Sequence, residues 1–255
     1  MEGHVETAAT SQFYDDLGER WYRAKDDPIA LLRAESRARK EWIVREIRSR
    51  FAHGSVRVLD VGCGAGFLSN DLAREGFVVT GLDLSENSLV VASRHDTTRA
   101  VTYEVADAYS LPYQDASFEV ACAMDFLEHV AEPARVIREI GRVLTPRGLF
   151  FFHTFNRNTL SYLVIIKGVE WFVRNTPNDL HVLKFFIKPS ELRAMCSQNR
   201  LAITELRGFG PKAGRWAFWH MLLTGIVEDD FEFEFKKSTL MGYTGLAVKV
   251  NGRPD

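Results

Sequence analysis

The run Asp60-Val61-Gly62-Cys63-Gly64-Ala65-Gly66 constrains this chain more than any other feature. It follows an apolar stretch and precedes a pattern of helical period, so a strand must turn sharply into a helix there. Glycines supply such a turn and let a ligand approach bare backbone. The spacing is G-x-G-x-G, shorter than the G-x-G-x-x-G that seats a dinucleotide pyrophosphate. A cofactor without that group is favoured, and a nicotinamide-dependent reaction is disfavoured. A plain tight connection is the alternative, but the context opposes it: Gly81-Leu82-Asp83 ends the next apolar run about 20 residues on, where a carboxylate can accept from ribose hydroxyls. The candidate cofactor residues here are Asp60, Gly62, Cys63, Gly64 and Gly66 in the turn, with Asp83 and Leu84 beyond it. At the third strand end, Asp107 is placed to accept from an adenine amino group and Ala108 to offer its amide; a helix cap or a solvated loop acid is the other reading of Asp107. Cys63 has no neighbouring base to generate a thiolate and reads as a small turn residue.

Around the turn, apolar runs bounded by turn residues alternate with helical segments, the pattern of βα units feeding a parallel sheet. Strands are expected at 56–61, 78–83, 102–105, 119–123 and 149–154, with helices at 67–75, 85–95 and 133–144. Pro133 near a helix start and Gly148 beyond its end match the usual asymmetry of helix termini. Two more strands, 202–207 and 244–250, complete an α/β fold: a Rossmann-like, doubly wound, seven-stranded sheet, mostly parallel with an antiparallel last strand. An N-terminal helical region (11–50) precedes it, and two insertions, 156–190 and 210–241, are expected over the substrate side. With 255 residues and 46% apolar content, the whole chain (1–255) reads as a single domain.

Charge is nearly balanced, 32 basic against 34 acidic residues, so no global field favours nucleic acid. Cys63, Cys122 and Cys196 are odd in number and widely spaced, which fits neither a disulfide framework nor a zinc site. The first ten residues are polar and lack a signal's apolar core, and no stretch reaches the roughly 18 uncharged apolar residues of a membrane span. A cytoplasmic location, with peripheral contact on the inner membrane face, is the expectation.

The segments LDVGCGAG (59–66), GLDLS (81–85) and MDFLEHV (124–130) resemble class I S-adenosylmethionine-dependent methyltransferases. A more specific run, TFNRN (154–158) followed by GVEW (168–171) and KFFIKP (184–189) with Glu191-Leu192, is similar to the ubiquinone-biosynthesis O-methyltransferase family. The resemblance implies S-adenosyl-L-methionine as cofactor and methyl transfer to a phenolic oxygen of a catechol-type, polyprenylated precursor. It places cofactor contacts at Gly62, Asp83 and Met124, and at an arginine before the first strand, for which Arg39 aligns best and Arg37 competes. It also implies a divalent cation such as magnesium at Asp125, Glu128 and His129, although Asp125 is one methylene shorter than the family's glutamate.

Methyl transfer needs the acceptor oxygen aligned with the methyl carbon and made nucleophilic. A phenol with a pKa of about 10 is mostly protonated at neutral pH, so a base or a metal would help. His129, Glu128 and Asp125 are the catalytic candidates, and His129 has the right ordinary pKa for a general base. A helix-entry histidine bonded to backbone and a first-turn acid are the alternative readings of His129 and Glu128. The apolar residues from Leu160 to Phe172, broken by Lys167 and Glu170, read either as an amphipathic segment at a lipid interface or as packing over the active site. Trp216, Phe218, Trp219, Met221, Leu222 and Leu223 suggest a hydrophobic acceptor pocket or a subunit interface. A lipid-binding module that keeps the cofactor fold without catalysis is the competing function, and methylation of another small acceptor a third.

Overall fold

The computed structural model describes residues 8–51, 54–177 and 182–250. Its centre is an eight-stranded sheet: β1 (Arg57–Val61), β2 (Val78–Asp83), β3 (Thr102–Val105), β4 (Phe118–Met124), β5 (Leu144–Phe155), β6 (Leu201–Pro211), β7 (Phe233–Lys236) and β8 (Gly242–Lys249). The strands lie in the order β3-β2-β1-β4-β5-β8-β6-β7. Pairings from β3 across to β5 are all parallel, whereas β8 runs antiparallel between β5 and β6. The strands expected at 202–207 and 244–250 are therefore β6 and β8, an antiparallel pair, and the mostly parallel, doubly wound sheet is the one that the sequence indicates.

One strand is additional. β7 lies inside the 210–241 insertion and pairs antiparallel with β6, from Gly208–Lys236 to Pro211–Phe233. Its signal stands in the sequence: Phe231-Glu232-Phe233-Glu234-Phe235 alternates with period two, as a half-buried strand does. At the sheet edge its charged residues guard against pairing with other chains.

The inner strands are apolar on both sides because helices cover both faces. On one face Leu59, Val61, Ala121, Phe150 and Phe152 pack against α6 (Pro133–Val143) and α9 (Pro189–Gln198). On the other, Val58, Val120, Cys122 and Phe151 meet Trp42, Ile43 and Ile47 of α3 (Ile29–Arg50) and Leu68 and Leu72 of α4 (Phe67–Arg74). Helix α6 starts with Pro133 at its first turn and buries Val136, Ile137, Ile140 and Val143. Full burial stabilises each such side chain by about 1.5–3 kcal/mol. Helix α5 (Glu86–His95) is capped by Ser85, whose hydroxyl accepts from the Ser88 amide at 3.1 Å.

The N-terminal region folds as α1 (Ala8–Asp16), α2 (Arg20–Arg23) and α3. After β5 the chain forms α7 (Thr159–Ser161), a π-helical stretch (Tyr162–Lys167) and α8 (Gly168–Phe172), and α10 (Trp216–Thr224) follows β6. Val169 and Val173 of the first insertion and Ala217 and Met221 of α10 share a small core with Ala30 and Ala34 of α3. Both insertions leave the same end of the sheet, since β6 runs in the sense of β5. No described helix is long and apolar enough to cross a membrane.

Candidate active site

Chain direction through the sheet reverses at β1: β2 and β3 lie to one side of it, β4 and β5 to the other. A crevice opens at such a switch point, beyond the carboxyl ends of the strands. The glycine turn sits there. Gly62, Gly64 and Gly66 all have left-handed φ, 69°, 51° and 75°, a region that costs a side chain little only when it is absent. The amides of Gly62 and Cys63 both donate to the Leu82 carbonyl, at 2.9 and 3.0 Å. Asp83 completes the tie between β2 and the turn: Oδ2 accepts from the Gly64 amide at 2.9 Å and Oδ1 from the Ser85 amide at 2.9 Å. Burial raises its carboxyl, and these amides pull it back. Each oxygen keeps a further lone pair for a ligand hydroxyl.

A cavity of about 420 Å³ runs along this crest, within the usual range for small-molecule sites. Its wall includes Arg39, Asp60, Gly62, Cys63, Gly64, Asp83, Leu84, Asp107, Ala108, Met124, Asp125 and His129. Asp107 Oδ1 accepts from the Tyr109 amide at 2.8 Å, a local turn contact that fixes its position on the wall. Asp60 accepts from Ser69 Oγ at 2.6 Å, and burial pushes its carboxyl up to about 6 although Ser69 opposes the shift. The Cys63 thiol is buried and pushed well above its ordinary pKa, so it stays protonated. Of the two arginines expected to compete, Arg39 is on the wall, whereas Arg37 points outward and donates to the Asp229 carbonyl at 3.1 Å.

Two expected residues stand off the cavity. Gly66 packs behind the turn, where an added Cβ would lie 2.2 Å from the Tyr103 hydroxyl. Glu128 is turned into the protein by the 3-10 turn Leu127–His129, which sends adjacent side chains in different directions. Neither of its carboxyl oxygens has a hydrogen-bond partner, and burial, then the charge of Asp125, pushes it up to about 8. Buried and off the cavity wall, Glu128 does not reach an acceptor bound there. The aromatics of α10 also lie elsewhere: none is on the cavity wall, and Trp216 is 69% exposed.

Sequence reasoning missed the roof. Tyr14 and Trp21, from α1 and α2, line the cavity, with their rings stacked at 5.6 Å. Trp21 lies over the turn, 3.1 Å from where a Gly64 Cβ would be. Tyr22 donates to the Ala65 carbonyl at 2.8 Å and accepts from Asn70 at 3.2 Å, pinning α2 to the turn. The aromatic pairs Phe13-Tyr14 and Trp21-Tyr22 in the N-terminal region were its trace in the sequence.

At the end of β4, Asp125 has a left-handed φ of 55°. Arg39 grips both its oxygens, Nη1 to Oδ1 at 3.1 Å and Nη2 to Oδ2. Burial alone would raise Asp125; Arg39 and His153 outweigh it and hold the carboxyl well below the usual range. His129 presents its ring to the edge of Tyr14, with centroids 5.9 Å apart. Burial lowers its pKa to about 4, partly offset by Asp125, so its imidazole is neutral at physiological pH. Asp125, Glu128 and His129 do not converge as a metal-ligand trio. Among the described residues, the group with ligand atoms within 4.8 Å of one another is Glu35, Asp125 and His153.

A methyltransferase domain model matches residues 59–152, from the first strand to the fifth. The fold and the cavity at the glycine turn make this chain an S-adenosylmethionine-dependent methyltransferase. Among solved structures, its fold resembles the magnesium protoporphyrin IX methyltransferase of Synechocystis PCC 6803 with bound SAH (TM-score 0.63, 17% identity, 96% of this chain and 99% of that one). It also resembles a SAM-dependent methyltransferase of Methanosarcina mazei (TM-score 0.54, 22% identity, 81% and 98%). In sequence it is 36% identical over 212 residues to the ubiquinone biosynthesis O-methyltransferase of Ralstonia nicotianae, covering 81% of this chain and 87% of that one. Identity to the protein of that name in Hahella chejuensis is 38% over 203 residues, covering 76% and 81%. The chain belongs to the ubiquinone biosynthesis O-methyltransferase family.

Proposed function

We propose that this chain methylates a phenolic hydroxyl of a lipophilic, catechol-type precursor in ubiquinone biosynthesis. The observation that carries the reading is a single cavity joining the glycine turn and Asp83 to a neutral imidazole at His129. The bound cofactor supplies a methyl group on a sulfonium centre. In this reading Asp83 holds the ribose, Asp107 and the Ala108 amide hold the adenine, and Met124 and Leu84 form apolar walls. Trp21 and Tyr14 close the roof and exclude water, which strengthens each polar contact inside. His129 takes the phenolic proton as the carbon–oxygen bond forms and the carbon–sulfur bond breaks, leaving a neutral thioether. Asp125, already ionised, stabilises the imidazolium that results.

The test has two arms. Calorimetry should show S-adenosylmethionine binding that Asp83→Ala weakens by tenfold or more, since hydrogen bonds to a charged group contribute about 1.5–3 kcal/mol. Labelled cofactor offered a catechol panel should then yield O-methyl products; cofactor binding without any product on oxygen would reject the reaction and favour a binding module.

An exposed apolar face supports contact with a membrane as part of this reading. Leu163, Trp171, Phe172, Trp216, Trp219 and Leu223 are all exposed, on the two insertions that pack together. Indole rings favour the headgroup region. Sedimentation with anionic phosphatidylglycerol vesicles should retain the protein, and Trp171→Ser/Trp219→Ser should release it; equal retention of both proteins would reject this surface.

A further inference from the structure

A cation is expected at Asp125, and a cation of a different kind already stands there. The Arg39 side chain spans both oxygens of Asp125, and its Nη1 lies 3.5 Å from Glu35 Oε2, one helical turn earlier on α3. Its guanidinium carbon sits 5.2 Å over the ring of Phe209. His153 approaches from β5, with Nε2 3.5 Å from Asp125 Oδ1. Arg39 is only 1% exposed and His153 likewise. Neither ring nitrogen of His153 has a hydrogen-bond partner, nor has Glu35 Oε2. Two carboxylates and an imidazole from three separate elements thus surround a space of the size and donor type that a divalent ion prefers. The guanidinium occupies it. A divalent ion entering would meet a fixed positive charge at contact distance, in a site largely withdrawn from solvent.

We propose that Arg39 is a built-in cation that takes the place of a divalent metal beside the cofactor cavity, so that Asp125 is a positioning anchor and not a metal ligand. The proposal rests on the methyl-transfer reading for its purpose. The anchor acts on the rim of the cavity: Asp125 in its left-handed conformation sets the course of the chain into Phe126. The Phe126 ring lies against the turn so closely that a Cβ on Gly62 would be 2.1 Å from it. The rigid two-pronged fork of arginine suits this role, and a lysine would hold one oxygen at a time.

Manganese titration followed by electron paramagnetic resonance, on the full chain saturated with S-adenosylhomocysteine, tests the proposal without using an acceptor. Wild type and Asp125→Asn should give the same binding curve. Arg39→Met keeps the aliphatic stem, removes the charge and should gain one manganese ion per chain, bound at least tenfold more tightly than anything in wild type; adding His153→Gln should remove that gain. A wild-type manganese site that Asp125→Asn abolishes would overturn the proposal. So would an Arg39→Met chain that melts cooperatively yet binds no more manganese than wild type. Should Arg39→Met fail to fold, wild type against Asp125→Asn decides alone. Failure of the phenol assignment would appear in the catechol assay and leave these curves unchanged.

Discussion

At the residue scale, neighbouring side chains of one short turn have opposite fates. His129 opens onto the cavity and Glu128 is driven into the core, although both read from sequence as one carboxylate-histidine cluster. Their directions are set by a single 3-10 turn, a distinction too local for residue type and spacing to reveal. The consequence for pH is specific. An ordinary histidine gains its proton at about 6.5 and would then cease to act as a base. With a pKa of about 4, His129 stays neutral through that range, so kcat/KM should remain level as the pH falls past 6.5 and decline only toward 4. A half-point at 6.5 in the rate profile would remove His129 from the role. His129→Ala should lower kcat by about 100-fold or more with cofactor affinity retained. Other wall residues were legible because geometry follows from order along the chain: Gly62, Gly64 and Asp83 end consecutive parallel strands. Arg39 was distinguishable from Arg37 only through resemblance, since both lie on one arginine-rich helix and their facing depends on packing.

At the element scale, strands buried on both faces announce themselves as apolar runs, which is why β1, β2 and β4 were readable to within a residue; β5 begins at Leu144, five residues before the expected 149, so that Gly148 lies inside the strand and not beyond a helix end. β7 was not readable, although Phe231, Phe233 and Phe235 alternate with Glu232 and Glu234, since four residues at a sheet edge make too short a run to stand out. The α1–α2 roof escaped for another reason: its contacts with the turn span more than forty residues of sequence, as between Tyr22 and Ala65. The turn itself offers a direct test of element packing. Gly66 caps α4 in a left-handed conformation, and Tyr103 and Ala92 press on it from β3 and α5. Gly66→Ala should therefore destabilise the fold by about 1–3 kcal/mol, combining overpacking and backbone strain. Thermal unfolding would measure it; an unchanged midpoint would mean that the three elements are not locked together there.

Across the whole molecule, the interior carries more ionisable groups than one ion pair can balance. Glu35, Glu128 and His153 share the space around Arg39 and Asp125; burial raises Glu35 well above its ordinary value, pushes Glu128 up to about 8 and keeps His153 neutral. Glu128 has a folded pKa of about 8 against roughly 4.3 in an unfolded chain. The folded state thus holds that proton more tightly, so the associated stability is fully present below 4.3 and is lost as the pH rises through 8. Wild type should consequently lose more thermal stability than Glu128→Gln between pH 5 and pH 9, and parallel losses would show that Glu128 ionises freely. The roof has a mechanical implication as well. Trp21 and Tyr14 belong to the wall, yet they are carried by the first helices of the chain and tied down by a few hydrogen bonds. In the methyl-transfer reading, spent cofactor released on that side would have to displace α1 and α2 before the next methyl donor enters. A turnover rate would then time that displacement together with the chemistry.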